Sequence, residues 1–358
     1  PNLFAERHRM LVRHAHLPER RPGRPTVGIP LALSNHQLLP FWGTLLGELG
    51  CNVVVSQVSN PAIIHRGVEA VVSTPCFPVK VAHGHVLELI DKGVDFVWLP
   101  SVINLMRDDS SARFNQLCPY VTAIPYQVAA ALETAGRKVK LLDPAVQFQN
   151  GPRKLEQGLR GLCREFRVGA RQLRRAIAKA WKAQQDFEDA CRARGREALA
   201  GLAPGQQAMV LVSRPYNGCD AGVNLDVPGK LRKLGVLAIP MDFLDLRSWA
   251  DADDRVFHSM YWKYGQRILR AGKIIREDPR LNAIYLSNFS CGPDSFLIGF
   301  FKRLMAPKPS LVLEIDEHSA DAGVVTRLEA FLESLRSVPE AKLPAAEPLY
   351  PPQHTNGR

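Results

Sequence analysis

The chain has 358 residues, which is enough for two domains, and its formal net charge is +11. No apolar run reaches the roughly 18 residues that a membrane helix needs. The charged N-terminus also lacks the composition of a secretory signal peptide. These features predict a cytoplasmic protein without a membrane association and with an anionic partner. Because the chain begins with Pro1, whether it is part of a longer protein stays open.

Residues 1–25 form a basic segment, predicted as a short helix followed by a linker. From residue 26 to residue 150, short β-branched strands alternate with longer helical segments, which is typical of βαβ units and a parallel sheet. The predicted elements of this first α/β domain are the strand Thr26–Pro30, the helix His36–Gly50, the strand Cys51–Ser56, the helix Val79–Gly93, the strand Val94–Pro100, a strand and a helix within 119–133, and a strand within 137–144.

Residues 151–204 are predicted as a helical linker, and the strand–helix alternation restarts in a second α/β domain, residues 205–338. Repeated prolines predict a flexible tail over residues 339–358. The predicted elements of the second domain are the strand Gln207–Pro215, a helix ending at Gly235, the strand Val236–Pro240, the helix Tyr261–Arg276, the strand Asn282–Asn288, the helix Phe296–Met305, the strand Ser310–Asp316 and a helix from about Gly323.

The linker has two faces. Apolar residues at steps of three and four predict one buried face, made of Leu155, Leu159, Leu162, Phe166, Ala170, Leu173, Ile177 and Trp181. The other face, called the basic face below, carries Arg160, Arg164, Arg167, Arg171, Arg174 and Arg175. It is interpreted either as a solvated surface or as a docking surface for an acidic protein or for phosphates. Nucleic acid is not expected, because no basic segment with interleaved aromatic residues accompanies it.

Three of the seven cysteines lie in predicted loops, which are the places where parallel α/β sheets bind ligands. Cys76 precedes a predicted helix, Cys118 precedes a predicted strand, and Cys291 lies between a strand and a helix. Each is flanked by Pro or Gly, which fix the backbone and let it approach a bulky ligand. Cys51 begins a strand, and Cys163 and Cys191 lie in helical sequence, where packing is the better interpretation.

In a reducing compartment, cysteines more often bind metal or perform redox chemistry than form disulfides. Thiolates of Cys76, Cys118 and Cys291 meeting between the domains would make an iron–sulfur site with one open iron position. No CxxC motif supports this hypothesis, so unrelated loop cysteines, one reactive thiol, or a zinc site completed by His83 or His85 stay open.

Several segments carry a resemblance to a known family: "VGIPLALSNHQLLPFWGTLLGELGCNVVVS", "STPCFPVKVAHGH", "GVDFVWLPSV", "VLVSRPYN", and "LSNFSCGPDS" through "LEIDEHSADAGVVTRLEAFLE". They resemble acyl-CoA dehydratase activase-related proteins, whose C-terminal part is similar to the iron–sulfur subunits of 2-hydroxyacyl-CoA dehydratases. The resemblance covers about residues 25–335. It implies two flavodoxin-like domains with a cubane-type [4Fe-4S] cluster between them, held by cysteines that match Cys76, Cys118 and Cys291.

The resemblance also implies partners. Relatives receive electrons from an ATP-hydrolysing iron–sulfur activator, which is a separate protein or a fused domain. No Walker motif or G-x-G-x-x-G is present, so the chain is expected to be the electron-accepting portion, a dehydratase-like (lyase) or reductase component acting on a small molecule or an acyl-CoA. The substrate and the oligomeric state stay open.

Further residues complete the hypothesis. A related subfamily holds a double-cubane [8Fe-9S] cluster, for which Cys219 is a candidate additional ligand. Lys80, His83 and His85 are candidate hydrogen-bond or proton donors near a cluster. Arg214 and Tyr216 are expected to face the same cleft, and the acidic segment 314–323 is expected between the domains or near the cluster. The alternative function is a non-redox, two-domain module that binds an anionic ligand, with incidental cysteines.

Overall fold

The computed structural model describes residues 1–108, 112–247 and 259–336. Within these ranges, helices α1–α14 are Leu3–His14, Asn35–Glu48, Pro61–Ala70, Phe77–Asp91, Pro119–Thr122, Ile124–Thr134, Gly151–Leu159, Gly161–Glu165, Ala170–Ala200, Pro215–Gly218, Val227–Lys233, Lys263–Glu277, Gly292–Met305 and Asp321–Arg336. Strands β1–β10 are Thr26–Ile29, Asn52–Val55, Phe96–Trp98, Ser101–Asn104, Lys140–Leu142, Ala145–Gln147, Ala208–Val212, Leu237–Pro240, Leu281–Ser287 and Ser310–Glu314.

Two parallel four-stranded sheets organise the molecule. The first has the strand order β2-β1-β3-β5, and the second has the order β10-β9-β7-β8. Strands β7 and β9 are buried along their whole length, which explains their nearly continuous apolar sequence. The predicted α/β class with two parallel-sheet units is therefore confirmed. The domain limits at residues 26, 150, 204 and 338 stay a prediction.

One hydrophobic core runs through both sheets and the helices between them. The 31-residue helix α9 packs against α1 and α2, so the predicted linker is an integral part of this core. Trp42 of α2 lies 5.0 Å from Trp98 of β3 and 5.5 Å from Phe148, measured between ring centroids. These aromatic contacts tie the first sheet to the helical segment that follows it.

The linker buries the predicted face in most positions. Leu155, Leu159, Leu162, Leu173 and Ile177 are buried, whereas Phe166 and Trp181 are half-buried and Ala170 is exposed. The basic face is exposed at all six arginines. Arg174 is partly neutralised there, because its guanidinium lies 3.2 Å from the Glu156 carboxylate.

The N-terminal segment contains the predicted helix, but it is not a peripheral extension. Leu3 and Leu11 are buried, and α1 packs on α2, α9 and β8. Arg7 is buried and donates to both carboxylate oxygens of Asp242, at 2.8 and 3.0 Å from Nε. Helix α1 therefore joins elements of both sheets.

Two expectations about local structure are wrong. Residues 119–133 contain no strand: they form α5 and α6. Pro119 and Pro125 stand in the first turns of these helices, where a missing N–H costs nothing, whereas β-branched Val121 and Thr122 suggested a strand. Cys118 therefore precedes a helix rather than a strand.

Helix α3 was not predicted from the sequence. Its presence means that Cys76 follows a helix rather than the end of a strand. Pro78 lies inside the first turn of α4, which begins at Phe77. The small parallel pair β4 and β6 was not expected either. The predicted tail, residues 339–358, lies outside the described residues. Among the described helices, none is long and apolar enough to span a membrane.

Helices α3 and α4 approach closely because glycines face each other. A Cβ atom on Gly84 would collide with the carbonyl oxygen of Ile63, and one on Gly67 would collide with that of Lys80. Only glycine permits this contact between backbones. The packing fixes α4, whose N-terminus carries Cys76.

Candidate cysteine site between the two sheets

Cys76 occupies the N-cap position of α4. Its backbone is extended, with φ −63° and ψ 156°, and Pro78 follows at the second helical position. The proline presets the helical φ angle and lacks an N–H group that would have no partner in a first turn. The half-buried thiol therefore stands at a rigid helix start.

Cys118 occupies the equivalent position before the single turn α5, again followed by proline. The loop that leads to it is bound on two sides. Leu117 N–H donates to the Ile103 carbonyl of β4 at 3.1 Å, and Lys263 N–H at the start of α12 donates to the Gln116 carbonyl at 2.9 Å. Cys118 thus belongs by sequence to the first sheet but is also anchored to the helices of the second.

Cys291 follows β9 and is the N-cap residue of α13, with Pro293 at the second helical position. Ser290, just before it, has a left-handed φ of 64°. The Cys291 N–H donates to the Asn288 carbonyl at 3.1 Å, which closes the turn between strand and helix. Cys291 is the cysteine that the second sheet contributes.

Burial is the main cause of the raised pKa values at this site. The pKa of Cys76 is raised to about 11 by burial first and by Cys118 second, against an opposing effect of Arg214. Burial also raises the pKa of Cys291 to about 12, with a smaller contribution from Cys76. Burial raises the pKa of Tyr216 well above its usual value, and Cys118, Cys291 and Cys76 all add to the shift.

A buried charge network stands behind Cys291. Arg214, 3 % exposed, is the N-cap residue of α10, and its Nη1 donates to Asp294 Oδ2 at 2.6 Å. Ser287 Oγ donates to the same oxygen at 2.7 Å, and Tyr285 OH donates to Oδ1 at 2.6 Å. Burial opposes the charge of Arg214, but Asp294 and Cys291 outweigh it and raise the pKa of Arg214 well above its usual value.

Lys80, His83 and His85 have structural partners. Lys80 forms an ion pair with Glu317, which joins α4 to the loop after β10. This contact joins Glu317 of the acidic segment 314–323 to α4, and a position of that segment near a cluster stays a prediction. His83 Nδ1 lies 2.8 Å from the Val79 carbonyl, one turn earlier in α4.

His85 uses both ring nitrogens in hydrogen bonds. Its Nδ1 lies 2.7 Å from Ser56 Oγ, and its Nε2 lies 2.9 Å from Ser59 Oγ. Ser59 Oγ also donates to Asp220 at 2.5 Å, and Asp220 belongs to the half of the chain that forms the second sheet. This arrangement leaves no ring nitrogen of His85 for a zinc ion.

The other cysteines lie in different surroundings. Burial raises the pKa of Cys219 to about 12, and the charges that act on it are those of Arg7, Asp242 and Asp220. The charged groups that act on Cys219 therefore include Arg7 of α1, and they differ from those that act on Cys76 and Cys291. Cys51 and Cys191 are fully buried, and Cys163 lies in α8, half-buried.

The donor set consists of thiols, the ligands that iron–sulfur clusters use. Cys76, Cys118 and Cys291 are free thiols at helix starts, and the positive ends of the long helices α4 and α13 favour thiolates there. Among the described residues, no group of three or more His, Cys, Asp or Glu side chains is arranged to hold one metal ion. In a cluster each thiolate binds a different iron, so the sulfur atoms need not surround one ion.

Exposed aromatic residues stand close in sequence to two of the cysteines. Tyr120 follows Cys118 by two residues and is 50 % exposed, and Phe289 precedes Cys291 by two and is 67 % exposed. Phe296, in the first turns of α13, lies 6.2 Å from Trp262 between ring centroids. Exposed apolar side chains that lie together are typical of surfaces that bind a ligand or a partner.

Sequence reasoning missed the partners of Arg214. Asp294 stands three residues after Cys291 in "CGPDS", and an acidic residue in the first turn of a helix was a usable signal. The contacts of Asp220 and Asp242 join residues about 160–235 positions apart, and a single sequence contains no signal for such pairs.

The fold defines a two-sheet α/β protein in which three cysteines stand at helix starts. The chain belongs to the family of the CoA enzyme activase uncharacterised domain (DUF2229), whose model matches residues 26–244. The family links it to CoA enzyme activase systems. No curated protein matches the chain.

Two solved structures show only a weak likeness. The SBP FpvC from P. aeruginosa, in complex with Ni2+, has a TM-score of 0.25 at 10 % identity and covers 89 % of this chain and 100 % of its own. Tagatose-6-phosphate ketose/aldose isomerase from Escherichia coli has a TM-score of 0.20 at 15 % identity, covering 98 % and 91 %. Neither likeness bears on the function.

Proposed function

We propose that the protein is an iron–sulfur redox protein of the 2-hydroxyacyl-CoA dehydratase type. It receives a low-potential electron from an ATP-dependent activator and delivers it to a small-molecule or acyl-CoA substrate. The observation that carries this proposal is that Cys76, Cys118 and Cys291 are free cysteines, each the N-cap residue of a helix with proline at its first or second position.

Cys76, Cys118 and Cys291 would hold a [4Fe-4S] cluster. When bound, the cluster supplies one-electron chemistry at an iron with an open position. The chain's own contribution is binding and orientation: α4 and α13 present thiols from opposite halves, and Lys80 with Glu317 holds those halves together. The raised pKa values of Cys76 and Cys291, caused mainly by burial, mean that binding displaces their protons.

The partner is proposed from the family and from the charge. The family's link to CoA enzyme activase systems supports an activator as electron donor. The exposed basic face on the helical linker is the proposed docking surface for that activator. The exposed aromatic residues beside Cys118 and Cys291 would contact whatever approaches the cleft.

The test is the iron and sulfide content of the protein purified without oxygen, together with its EPR spectrum after reduction. The expected result is about four irons and four sulfides per chain, as one cubane cluster requires. About eight irons would instead support the double-cubane cluster, with Cys219 or Cys51 as a further ligand. One zinc without sulfide, or no metal even after anaerobic reconstitution, would refute the proposal and favour an anion-binding module.

A further inference from the structure

Arg214 has an unused hydrogen-bond donor in the interior of the protein. Its Nη1 is bound to Asp294, but its Nη2 has no hydrogen-bond partner in the described part of the chain, although the side chain is 4 % exposed. A buried donor without a partner costs roughly 1–3 kcal/mol, and folded proteins rarely leave one unsatisfied. The free Nη2 therefore points to an acceptor that binds at this place.

The network explains why this edge of the guanidinium stays free. An arginine and a carboxylate usually form two parallel hydrogen bonds. Here the second carboxylate oxygen, Asp294 Oδ1, accepts from Tyr285 OH, so Arg214 makes one bond to Asp294 and retains Nη2. Ser287 Oγ fixes the same carboxylate from the sheet side. Tyr285, Ser287 and Arg214 thus all donate to Asp294, and Arg214 does so through Nη1 alone.

Arg214 is fixed beside the helix that Cys291 begins, because its Nη1 bonds Asp294, the third residue of that helix. Burial is the main cause of the raised pKa values of Cys76 and Cys291, and Arg214 lowers both. The pKa of Tyr216, two residues further along the chain, is raised mainly by burial and further by all three cysteines. A cation at this position would stabilise the negative charge of the three thiolates and of a ligand bound to them.

We propose that Arg214 is a positioning residue whose Nη2 donates a hydrogen bond to a sulfur atom of the bound iron–sulfur cluster and thereby raises its reduction potential. This inference rests on the proposed function. One electron from the reduced activator adds one negative charge to the site, and Arg214 offsets that charge without gaining or losing a proton. Hydrogen bonds to sulfur are among the factors that set the potentials of such clusters.

The variant that isolates the donor keeps the local charge balanced. Arg214→Met with Asp294→Asn removes one positive and one negative charge together, so the lost hydrogen bond accounts for any change in potential. The matched control is Arg7→Met with Asp242→Asn, which removes a similar buried ion pair beside Cys219 and Cys191. Arg214→Lys, which retains a cation for Asp294, serves where the double variant does not fold.

The measurement is an anaerobic redox titration of iron-loaded protein followed by EPR. The expected result is full iron content and at least a tenfold lower ratio of reduced to oxidised protein at a fixed potential, which is about 59 mV for a one-electron couple. The control variant should match the wild type. An unchanged potential in the Arg214 variants, with full iron, would overturn this inference alone. A wild-type protein without iron would instead refute the proposed function.

Discussion

Cys76 and Cys291 occupy the same local position in the two halves of the molecule. Each is the N-cap residue of a long helix with proline at the second helical position, and the charge of Cys76 acts on Cys291. A pair of matching helix starts, one from each sheet unit, would be a suitable frame for one shared ligand. The positive ends of both helices favour an anionic ligand there.

The basic face predicts how an activator binds. Arg171 and Arg175 lie one turn apart on α9, and both are exposed. Replacing both by Glu should slow ATP-dependent reduction by the activator by roughly tenfold at low salt, because attraction between opposite charges speeds association. The rate with a small chemical reductant and the iron content should stay at the wild-type values. Stopped-flow absorbance at several salt concentrations measures these rates.

The matched control changes the same charge elsewhere. Arg232→Glu with Lys233→Glu lies on the exposed surface of α11 in the second half. This variant should reduce at the wild-type rate. If both double variants slow the reaction equally, the effect belongs to the net charge, and the basic face is only a solvated surface. Arg174 is a poorer choice for the test, because Glu156 already neutralises it in part.

Replacing Gly84 tests how closely α3 packs on α4. Gly84→Ala should lower the free energy of unfolding by about 1–3 kcal/mol, because the new Cβ would collide with the Ile63 carbonyl of α3. The control is Gly299→Ala in α13, where no atom lies within 4 Å of a Cβ. That change should stabilise the protein by up to about 1 kcal/mol through helix propensity. Urea denaturation of both variants tests this; equal effects would contradict the close packing of α3 on α4.

His85 predicts a loss of stability in mild acid. Burial lowers its pKa from 6.5 to about 4. Between these two values the unfolded chain binds the proton and the folded protein does not, so stability is lost as the pH falls through this window. The shift corresponds to about 3 kcal/mol at most. His83 and His8, whose pKa values burial also lowers, act in the same direction.

The variant His85→Gln isolates this contribution. Its free energy of unfolding should depend less steeply on pH between about 6.5 and 4 than that of the wild type. His65→Gln, at an exposed position of α3, should keep the wild-type slope. Denaturation at a series of pH values provides the measurement, and equal slopes for all three proteins would show that His85 titrates in the folded state as it does in the unfolded one.

The sequence predicted the strands well because they are short, β-branched and separated by helices. It predicted Thr26–Ile29 and Leu281–Ser287 nearly to the residue, since buried parallel strands are continuous apolar runs. It failed at residues 119–133, where proline permits a first helical turn but β-branched neighbours suggest a strand. It also missed α3, whose packing depends on glycine contacts with another helix.

The assignment of the three cysteines to one site stays a prediction, and the sequence did not predict the ion pairs around them. Cys76, Cys118 and Cys291 stand beside Pro or Gly, and this local signal is visible in a single sequence. The contact of Arg214 with Asp294 and that of Lys80 with Glu317 depend on how the two sheets meet. Such pairs are set by tertiary packing, which local residue patterns do not encode.

Replacing Cys291 tests whether a cluster is held between the two sheets, because Cys291 is the thiol that the second sheet contributes to the proposed site. The measurement is the iron and sulfide content of Cys291→Ser after anaerobic reconstitution, compared with Cys163→Ser in α8. We expect Cys291→Ser to lose most of its iron and Cys163→Ser to keep the wild-type iron content. Full iron content in Cys291→Ser, with loss in Cys163→Ser, would contradict a cluster held between the two sheets.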